Sequence, residues 1–396
     1  MFFIVSCIFM LIFGLANVFI YKRLFMKIPF LQAHRLWVLG FVLVIFVMEF
    51  AFLMFRADDR FNSTIYNALA HSFAFTYFFF FVTLFAEILA LFIRFWVKKT
   101  SKLPLNPQRR SFIKLIFNFS LLIFGIGLVL RGWGNAMNVP AVKQMNLSLK
   151  GLKNDLRLVM ISDVHLGKNL HDVFLGELVA KINALKPDIV VIVGDLIDTK
   201  PKELEHYIHK LNDLQSRLGT FYVLGNHEYY RGLDEVLRVL RTKTNLKILI
   251  NESVDLGEFN IAGLADLAGL RFANDEKGVG LSGLGLNSLT NFTPDIKATT
   301  SNLSLNKPSI LLSHQPKSVN VLDVSAFDLV LSGHTHAGQV FPFGALVLAQ
   351  QGFLYGLYEL SQKTKLYVSS GAGFWGPAIR FLAPSEIVLM QIKAEA

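Results

Sequence analysis

The chain contains ISDVHLG at residues 161–167, VGDLID at 193–198, GNHE at 225–228, SHQP at 313–316 and GHTH at 333–336. Each of these five polar sequences follows an apolar run of strand length. A carboxylate or imidazole at the end of a buried strand emerges at the edge of a sheet, where open α/β folds place their sites. The five sequences therefore predict a polar site at the edge of a buried sheet.

The five sequences together supply three Asp, one Asn and five His. Carboxylate oxygen and neutral imidazole nitrogen suit Mn, Fe or Zn better than Ca or Mg. Six to eight such ligands are too many for one tetrahedral ion, but they fit two ions that share a bridging group. The sequence therefore predicts a hydrolase with a dinuclear metal site.

Apolar residues make up 53% of the 396 residues, more than in an ordinary soluble protein. The excess lies in four hydrophobic stretches, each about long enough to cross a bilayer. These stretches are residues 1–21, 36–55, 73–97 and 112–130. We therefore expect a transmembrane region of about four helices at 1–130, a linker at 131–150 and one large α/β domain at 151–396.

The net charge of +10 belongs to the first part of the chain. Residues 1–150 contain 16 Lys and Arg against four acids, whereas residues 151–396 contain 23 against 25. The α/β domain therefore has no basic excess with which to bind nucleic acid. A single cysteine, Cys7, excludes disulfides and thiolate metal sites within the chain.

Basic residues in short loops predict the orientation of a multi-pass protein in the inner membrane. The loops after the first and third stretches carry Lys and Arg without an acid, whereas the second loop is neutral. The first and third loops are thus expected in the cytoplasm and the α/β domain outside it. QRRSFIK, at residues 108–114, resembles a twin-arginine export signal; an ordinary basic flank is the alternative. Because no small-residue cleavage site follows, the segment is expected to remain as an anchor.

Strand and helix patterns alternate from residue 156 onward, as in a layered α/β domain. Strands are predicted at 156–162, 188–193, 221–224, 247–251, 310–312, 329–331, 365–368 and 386–391. Helices are predicted at 171–184, 202–218 and 233–243.

In this order, the five sequences resemble those of the calcineurin-like metallophosphoesterase superfamily, without a substitution. GHTHAGQVFPF and the ending SSGAGFWGPAIRFLAPSEIVLMQI resemble a membrane-associated bacterial branch. The resemblance implies a layered β-sandwich flanked by helices, following the four-helix transmembrane region. It also implies two divalent metal ions, chosen among Mn, Fe and Zn with Mn favoured.

The resemblance also implies a role for individual residues. The first ion site would consist of Asp163, His165, Asp195 and His336. The second would consist of Asp195, Asn226, His314 and His334. His227 would contact the phosphoryl group without binding an ion and would protonate the leaving oxygen.

Two further residues are candidates from their own surroundings in the sequence. Asp198 is expected to orient a nearby histidine, and a helix N-cap is its alternative role. Arg380, in a Gly-rich and aromatic stretch, is the best cation for substrate charge. Its alternative role is a solvent-exposed side chain lying on an apolar wall.

The predicted function is hydrolysis of a phosphoester or pyrophosphate bond at a membrane. The anchor favours a lipid-linked substrate because it holds the site near the bilayer. Some membrane-linked relatives hydrolyse UDP-2,3-diacylglucosamine in lipid A synthesis, which requires a cytoplasmic domain. An exported phosphomonoesterase or phosphodiesterase acting on soluble esters is the alternative, and an inactive sensor would not need the complete ligand set.

Overall fold

The computed structural model describes residues 2–55, 63–100, 106–273, 292–304 and 306–395. The charge-neutral second loop and Lys102 of the third loop lie outside the described residues. The chain divides into two compact units. The first comprises Met1–Gly134 with Gly376–Ile379, and the second comprises Asn135–Trp375 with Arg380–Ala396.

Long apolar helices build the first unit. They are α1 (Phe2–Arg23), α2 (Pro29–Ala33), α3 (Arg35–Phe55), α4 (Ser63–Thr100) and α5 (Pro107–Met137). Apart from the short α2, each contains a segment long and apolar enough to cross a membrane, with mean hydropathy from 1.7 to 2.7. The predicted arrangement of four N-terminal apolar helices before an α/β domain is confirmed.

Two acidic residues within the apolar helices have partners in this unit. Glu49 is fully buried, and Asn17 Nδ2 donates a hydrogen bond of 2.9 Å to its carboxylate. Glu87 pairs with Lys27 and lies 3.8 Å from Arg23. Both acids are thus matched by polar groups on neighbouring segments, as groups in an apolar surrounding require.

Two six-stranded sheets form the second unit. In spatial order, the first sheet contains β1 (Ala141–Lys150), β12 (Glu386–Glu395), β2 (Leu156–Ile161), β3 (Ile189–Val193), β4 (Thr220–Val223) and β5 (Lys247–Ile248). The second contains β10 (Gly356–Glu359), β11 (Lys365–Val368), β9 (Leu329–Ser332), β8 (Ser309–Leu312), β7 (Asn260–Gly263) and β6 (Glu252–Asp255). Strands β2 to β5 run parallel, as do β11, β9, β8 and β7.

The inner faces of the two sheets form one hydrophobic core. Leu158, Val191 and Phe221 of the first sheet pack in the same cluster as Ile310 and Leu331 of the second. All five are fully buried, and burial of each such side chain stabilises the fold by about 1.5–3 kcal/mol. This face-to-face packing makes the predicted β-sandwich. It also fixes where the parallel strands of each sheet end.

Short helices connect the strands. They are α6 (Asp172–Ala184), α7 (Pro201–Leu204), α8 (Asn226–Tyr230), α9 (Leu233–Lys243), α10 (Gly269–Ala273), α11 (Ile296–Thr300) and α12 (Gly344–Gln351). Helix α9 shows why they form: Leu233, Val236, Leu237 and Leu240 recur at helical spacing and are all buried. Acids in its first turn and cations in its last turn also favour the helix dipole.

The segment predicted as a linker contains regular structure. Residues 131–137 complete α5, and residues 141–150 form β1, which pairs in parallel with β12 over ten residues. The alternation of Met145, Leu147 and Leu149 along β1 is the signal of a half-buried strand. The single helix predicted at 202–218 does not form. The chain has only the short helix α7 and a 3₁₀ turn at Ile208–Asp213 in that range.

Candidate metal centre

The five polar sequences meet because parallel strands end at the same edge of each sheet. ISDVHLG, VGDLID and GNHE follow β2, β3 and β4 of the first sheet. SHQP and GHTH follow the adjacent strands β8 and β9 of the second. Since the sheets pack face to face, the two sets of loops converge at one end of the sandwich.

The backbone at this edge is unusually strained. Ten described non-glycine residues have positive φ, and five of them are candidate ligands. They are Asp163, His165, Asp195, His334 and His336, with φ between 48° and 70°. Left-handed backbone is unfavourable for residues with a Cβ, and such strain concentrates at functional sites.

The loops after β3 and β4 approach each other so closely that one motif position must be glycine. A Cβ atom on Gly225 would overlap both the side chain and the backbone nitrogen of Asp195. Any larger residue at this position would therefore displace the Asp195 carboxylate from the centre of the site.

One group of candidate ligands surrounds His336. Its Nε2 lies 3.0 Å from His165 Nε2 and 3.4 Å from Asp163 Oδ1. Both oxygens of Asp163 also accept hydrogen bonds from the backbone N–H of His334, at 2.9 and 3.0 Å. One ligand atom from each of Asp163, His165 and His336 lies within 4.8 Å of the others, a spacing that can hold a metal ion.

A second group surrounds Asp195, whose carboxylate also approaches His165 of the first group. Asp195 Oδ2 lies 3.2 Å from His314 Nε2 and 3.8 Å from His165 Nε2. Ligand atoms of Asp195, His314 and His334 also lie within 4.8 Å of one another. Asp195 therefore lies between the two groups, where a bridging carboxylate would be required.

The donor atoms fit divalent cations. Among the described residues, Asn226 Oδ1 and His314 Nε2 are buried and have no hydrogen-bond partner. His314 Nδ1 lies 2.9 Å from the carbonyl oxygen of Val193 and donates to it, so Nε2 is the nitrogen that faces the site. Unpaired buried acceptors are costly, and a bound cation would satisfy them.

His227 is held at the rim of the site by a carboxylate. Its Nδ1 lies 2.9 Å from Asp198 Oδ1, and its Nε2 lies 4.0 Å from Asp195 Oδ2. Asp198 also accepts hydrogen bonds from Arg231, at 2.7 and 3.2 Å. Helix α7 begins after Lys200 as its N-cap residue, so Asp198 does not cap it. The His227 side chain is 19% exposed, whereas those of His165 and His314 are 1% and 0% exposed.

Charge and burial set the protonation of these histidines. Burial lowers the pKa of His165 and of His334 to about 3, so both rings are neutral and able to bind a cation. Burial also disfavours charge on His227, but the carboxylates of Asp195 and Asp198 outweigh it and raise its pKa to about 9. His227 therefore holds two protons near neutral pH.

Glu228 is an important residue that the sequence analysis missed. Its buried carboxylate accepts hydrogen bonds from the backbone N–H groups of Asp195, Ile197 and Gly225, at 2.8 to 3.1 Å. These bonds join the turns after β3 and β4 and fix the backbone of Asp195. The signal in the sequence was an acid directly after His227 in the GNHE motif.

Arg380 does not face solvent or substrate, contrary to both roles considered for it. The side chain is 1% exposed. It donates hydrogen bonds to the carbonyl oxygens of Gly373, Ser370 and Ala383, at 2.8 to 3.0 Å. It also donates to His336 Nδ1 at 2.9 Å, behind the nitrogen that faces the site. The Gly-rich stretch supplies the carbonyl groups that a buried guanidinium needs, and Arg380 is thereby held against the His336 ring.

Comparison with known proteins identifies the family. The protein named Uncharacterized metallophosphoesterase Cj0846, from Campylobacter jejuni, is 48% identical over 395 residues, covering 100% of this chain and 99% of that protein. Residues 156–338 also match the family described as Calcineurin-like phosphoesterase. The chain belongs to the calcineurin-like metallophosphoesterase family. As a member of it, the chain is a metal-dependent phosphohydrolase.

Two further proteins are similar to this metallophosphoesterase over part of its chain. The Bos taurus protein named Transmembrane protein with metallophosphoesterase domain is 31% identical over 306 residues, covering 75% of this chain and 64% of that protein. The solved structure of a dimetal phosphatase from Danio rerio has a TM-score of 0.35 at 14% identity, covering 59% of this chain and 90% of that chain.

Proposed function

We propose that this metallophosphoesterase is an inner-membrane enzyme that hydrolyses phosphoester or pyrophosphate bonds with two divalent metal ions, of which Mn is favoured. The central position of Asp195 carries the proposal. One carboxylate lies against ligand groups on both sides, which is the arrangement that two ions sharing a bridge require.

Each ion has a proposed set of ligands. The first ion would be held by Asp163, His165, Asp195 and His336. The second would be held by Asp195, Asn226, His314 and His334. Two such ions supply a nucleophile from water at neutral pH and stabilise charge on the phosphoryl oxygens.

The protein supplies the proton for the leaving group. Asp198 holds the Nδ1 side of His227, so that the Nε2 proton faces the site. Transfer of this proton to the leaving oxygen would assist cleavage of the bond to phosphorus. Arg231 holds Asp198 in place by donating hydrogen bonds to the same carboxylate oxygen.

Replacement of His227 by Ala should lower turnover by about 10²- to 10⁴-fold, because a positioned general acid is lost. Two metal ions per chain should remain, measured by elemental analysis of the purified protein. His209→Ala is the matched control, since His209 is exposed and distant in sequence from the five motifs. Loss of one ion in H227A would instead identify His227 as a ligand.

We favour a lipid-linked substrate because four apolar helices hold the enzyme in a bilayer. UDP-2,3-diacylglucosamine is the named candidate, and its hydrolysis would release UMP. The test compares the full-length enzyme in nanodiscs on this lipid, on p-nitrophenyl phosphate and on bis(p-nitrophenyl) phosphate. Higher kcat/KM for the lipid supports the proposal, whereas turnover of only the soluble esters supports the alternative of a scavenging phosphatase.

The basic loops lead us to expect the second unit outside the cytoplasm. A reporter that functions only after export, fused after Ala396, should therefore be active. Neutral residues in place of Arg109 and Arg110 should remove that activity, because the third loop would lose two of its cations. A reporter active only in the cytoplasm would contradict this orientation and would place the site with UDP-linked lipids.

A further inference from the structure

An exposed apolar surface lies on the second unit, and we call it the uncharged rim. Its members are Phe341, Leu346, Leu348, Trp375 and Leu382, which are 60%, 67%, 44%, 49% and 73% exposed. Scattered exposed apolar residues are ordinary, but a concentration of large ones marks an interaction surface.

The segments that form the uncharged rim carry almost no charge. The 22 residues from 337 to 358 contain no Asp, Glu, Lys, Arg or His. Residues 371–382 contain one charged residue, Arg380, and its side chain is buried. A protein surface in water normally mixes charges among its apolar residues, so this composition indicates an apolar environment.

Hydrogen bonds join the two segments. The backbone N–H of Phe341 donates to Phe381, next to Leu382, at 3.1 Å. Gln339 exchanges two hydrogen bonds with the backbone of Trp375, at 3.0 and 3.1 Å. These bonds hold the segments of Phe341 and Trp375 next to each other.

Leu382 shows that the rim is not a by-product of folding. It is the most exposed member, and its backbone has a φ of 56°. A leucine gains nothing from burial there and is strained in the left-handed conformation, which Gly or Asn adopts more readily. Such an outlier points to a use for the side chain outside the fold.

The same segments lead to the metal centre. The backbone N–H of Gln339 donates to the carbonyl oxygen of His336 at 2.8 Å. Arg380, between Trp375 and Leu382 in sequence, donates to the ring of the same histidine. Hydrogen bonds from Gln339 and Arg380 thus connect the segments of the uncharged rim to His336, a candidate metal ligand.

The segment that contains Trp375 and Leu382 also accepts a hydrogen bond from the last turn of α5. Residues 138–140 alone separate α5 from β1. Asn135, in the last turn of α5 and part of the second unit, donates a hydrogen bond of 3.3 Å to the carbonyl oxygen of Arg380.

We propose that the uncharged rim inserts into the headgroup–acyl boundary of the leaflet and brings the metal centre to phosphoester headgroups. Trp and Phe favour this boundary, and an apolar surface without charge loses nothing by leaving water there. The delivery of headgroups to the metal centre rests on the proposed function. Contact with the leaflet itself requires no turnover.

Site-directed labelling of the full-length protein in nanodiscs tests the contact. In a Cys7→Ser background the chain has no other cysteine, so L346C and L382C can each carry one bimane fluorophore. The matched controls are V173C and V321C, at apolar residues that are 64% and 56% exposed outside the rim. Each variant is titrated with nitroxide-labelled phosphatidylcholine and, separately, with aqueous iodide.

The rim positions should show a ratio of lipid quenching to iodide quenching several-fold higher than the controls. Trp375 should also be quenched by brominated phosphatidylcholine, seen as a loss of quenching in W375F. Equal ratios at all four labelled positions, or no change in W375F, would overturn the contact. Because neither readout depends on activity, an enzyme inactive on lipids would refute the proposed substrate and leave this result standing.

Discussion

Asp195→Asn should abolish turnover and remove both metal ions. Asp195 Oδ2 lies 3.2 Å from His314 and 3.8 Å from His165, so one substitution weakens both ligand groups. An amide is neutral and its nitrogen does not bind cations, so the bridge between two ions would be lost. We expect turnover to fall by at least about 10³-fold, with the metal content measured by elemental analysis on the same sample.

The matched control for this prediction is Asp172→Asn. Asp172 is half exposed and pairs with Lys210 at the start of α6, outside the ligand groups. Its variant should keep two ions and ordinary turnover, because a surface ion pair contributes little. If D195N instead kept two ions at full occupancy with near-normal turnover, the proposed bridging role would be wrong.

Arg380→Met should destabilise the second unit by about 3–5 kcal/mol. The substitution leaves three carbonyl groups and His336 Nδ1 without their donor in a buried place. Each unsatisfied buried acceptor costs about 1–3 kcal/mol, partly relieved by relaxation. Thermal unfolding followed by fluorescence should show a lower Tm for the variant.

The same variant should bind the ion at His336 about 10- to 100-fold more weakly, as when an outer partner of a metal ligand is lost. The Arg380→Lys variant separates weaker metal binding from unfolding. Lysine keeps the positive charge but cannot reach all four hydrogen-bond acceptors. Arg217→Met is the control, since Arg217 is 67% exposed and pairs only with Asp188 among the contacts described for it. Unchanged metal affinity in a folded R380K protein would mean that Arg380 supports the fold alone.

The sequence was most informative where local pattern and tertiary structure agree. The apolar runs before the five motifs are β2, β3, β4, β8 and β9, and α9 has the bounds expected from its periodicity. The motif residues come together because parallel strands end at a common edge, a rule that needs no knowledge of distant contacts. The four apolar helices follow from length and composition in the same way.

Other features depended on partners far away in the chain. The short strands β7 and β10 have too few residues to show a period, and their pairing with β8 and β11 stabilises them. Arg380 was expected to bind substrate charge or, alternatively, to lie exposed on an apolar wall. Its burial depends on carbonyl groups of residues 370–383 that turn inward around it, and no spacing in the sequence reveals where backbone oxygens point.

The position of β12 has a consequence for biosynthesis. This strand lies between β1 and β2 and pairs with both, so residues 386–395 join the edge strand β1 to the rest of the first sheet. The ribosome makes the apolar helices and β1 first, and nothing can occupy the gap beside β1 until it has made residue 395. The membrane anchor therefore emerges long before the catalytic sheet can close. We expect premature termination within residues 386–395 to leave a protein whose apolar helices are made but whose second unit is unfolded.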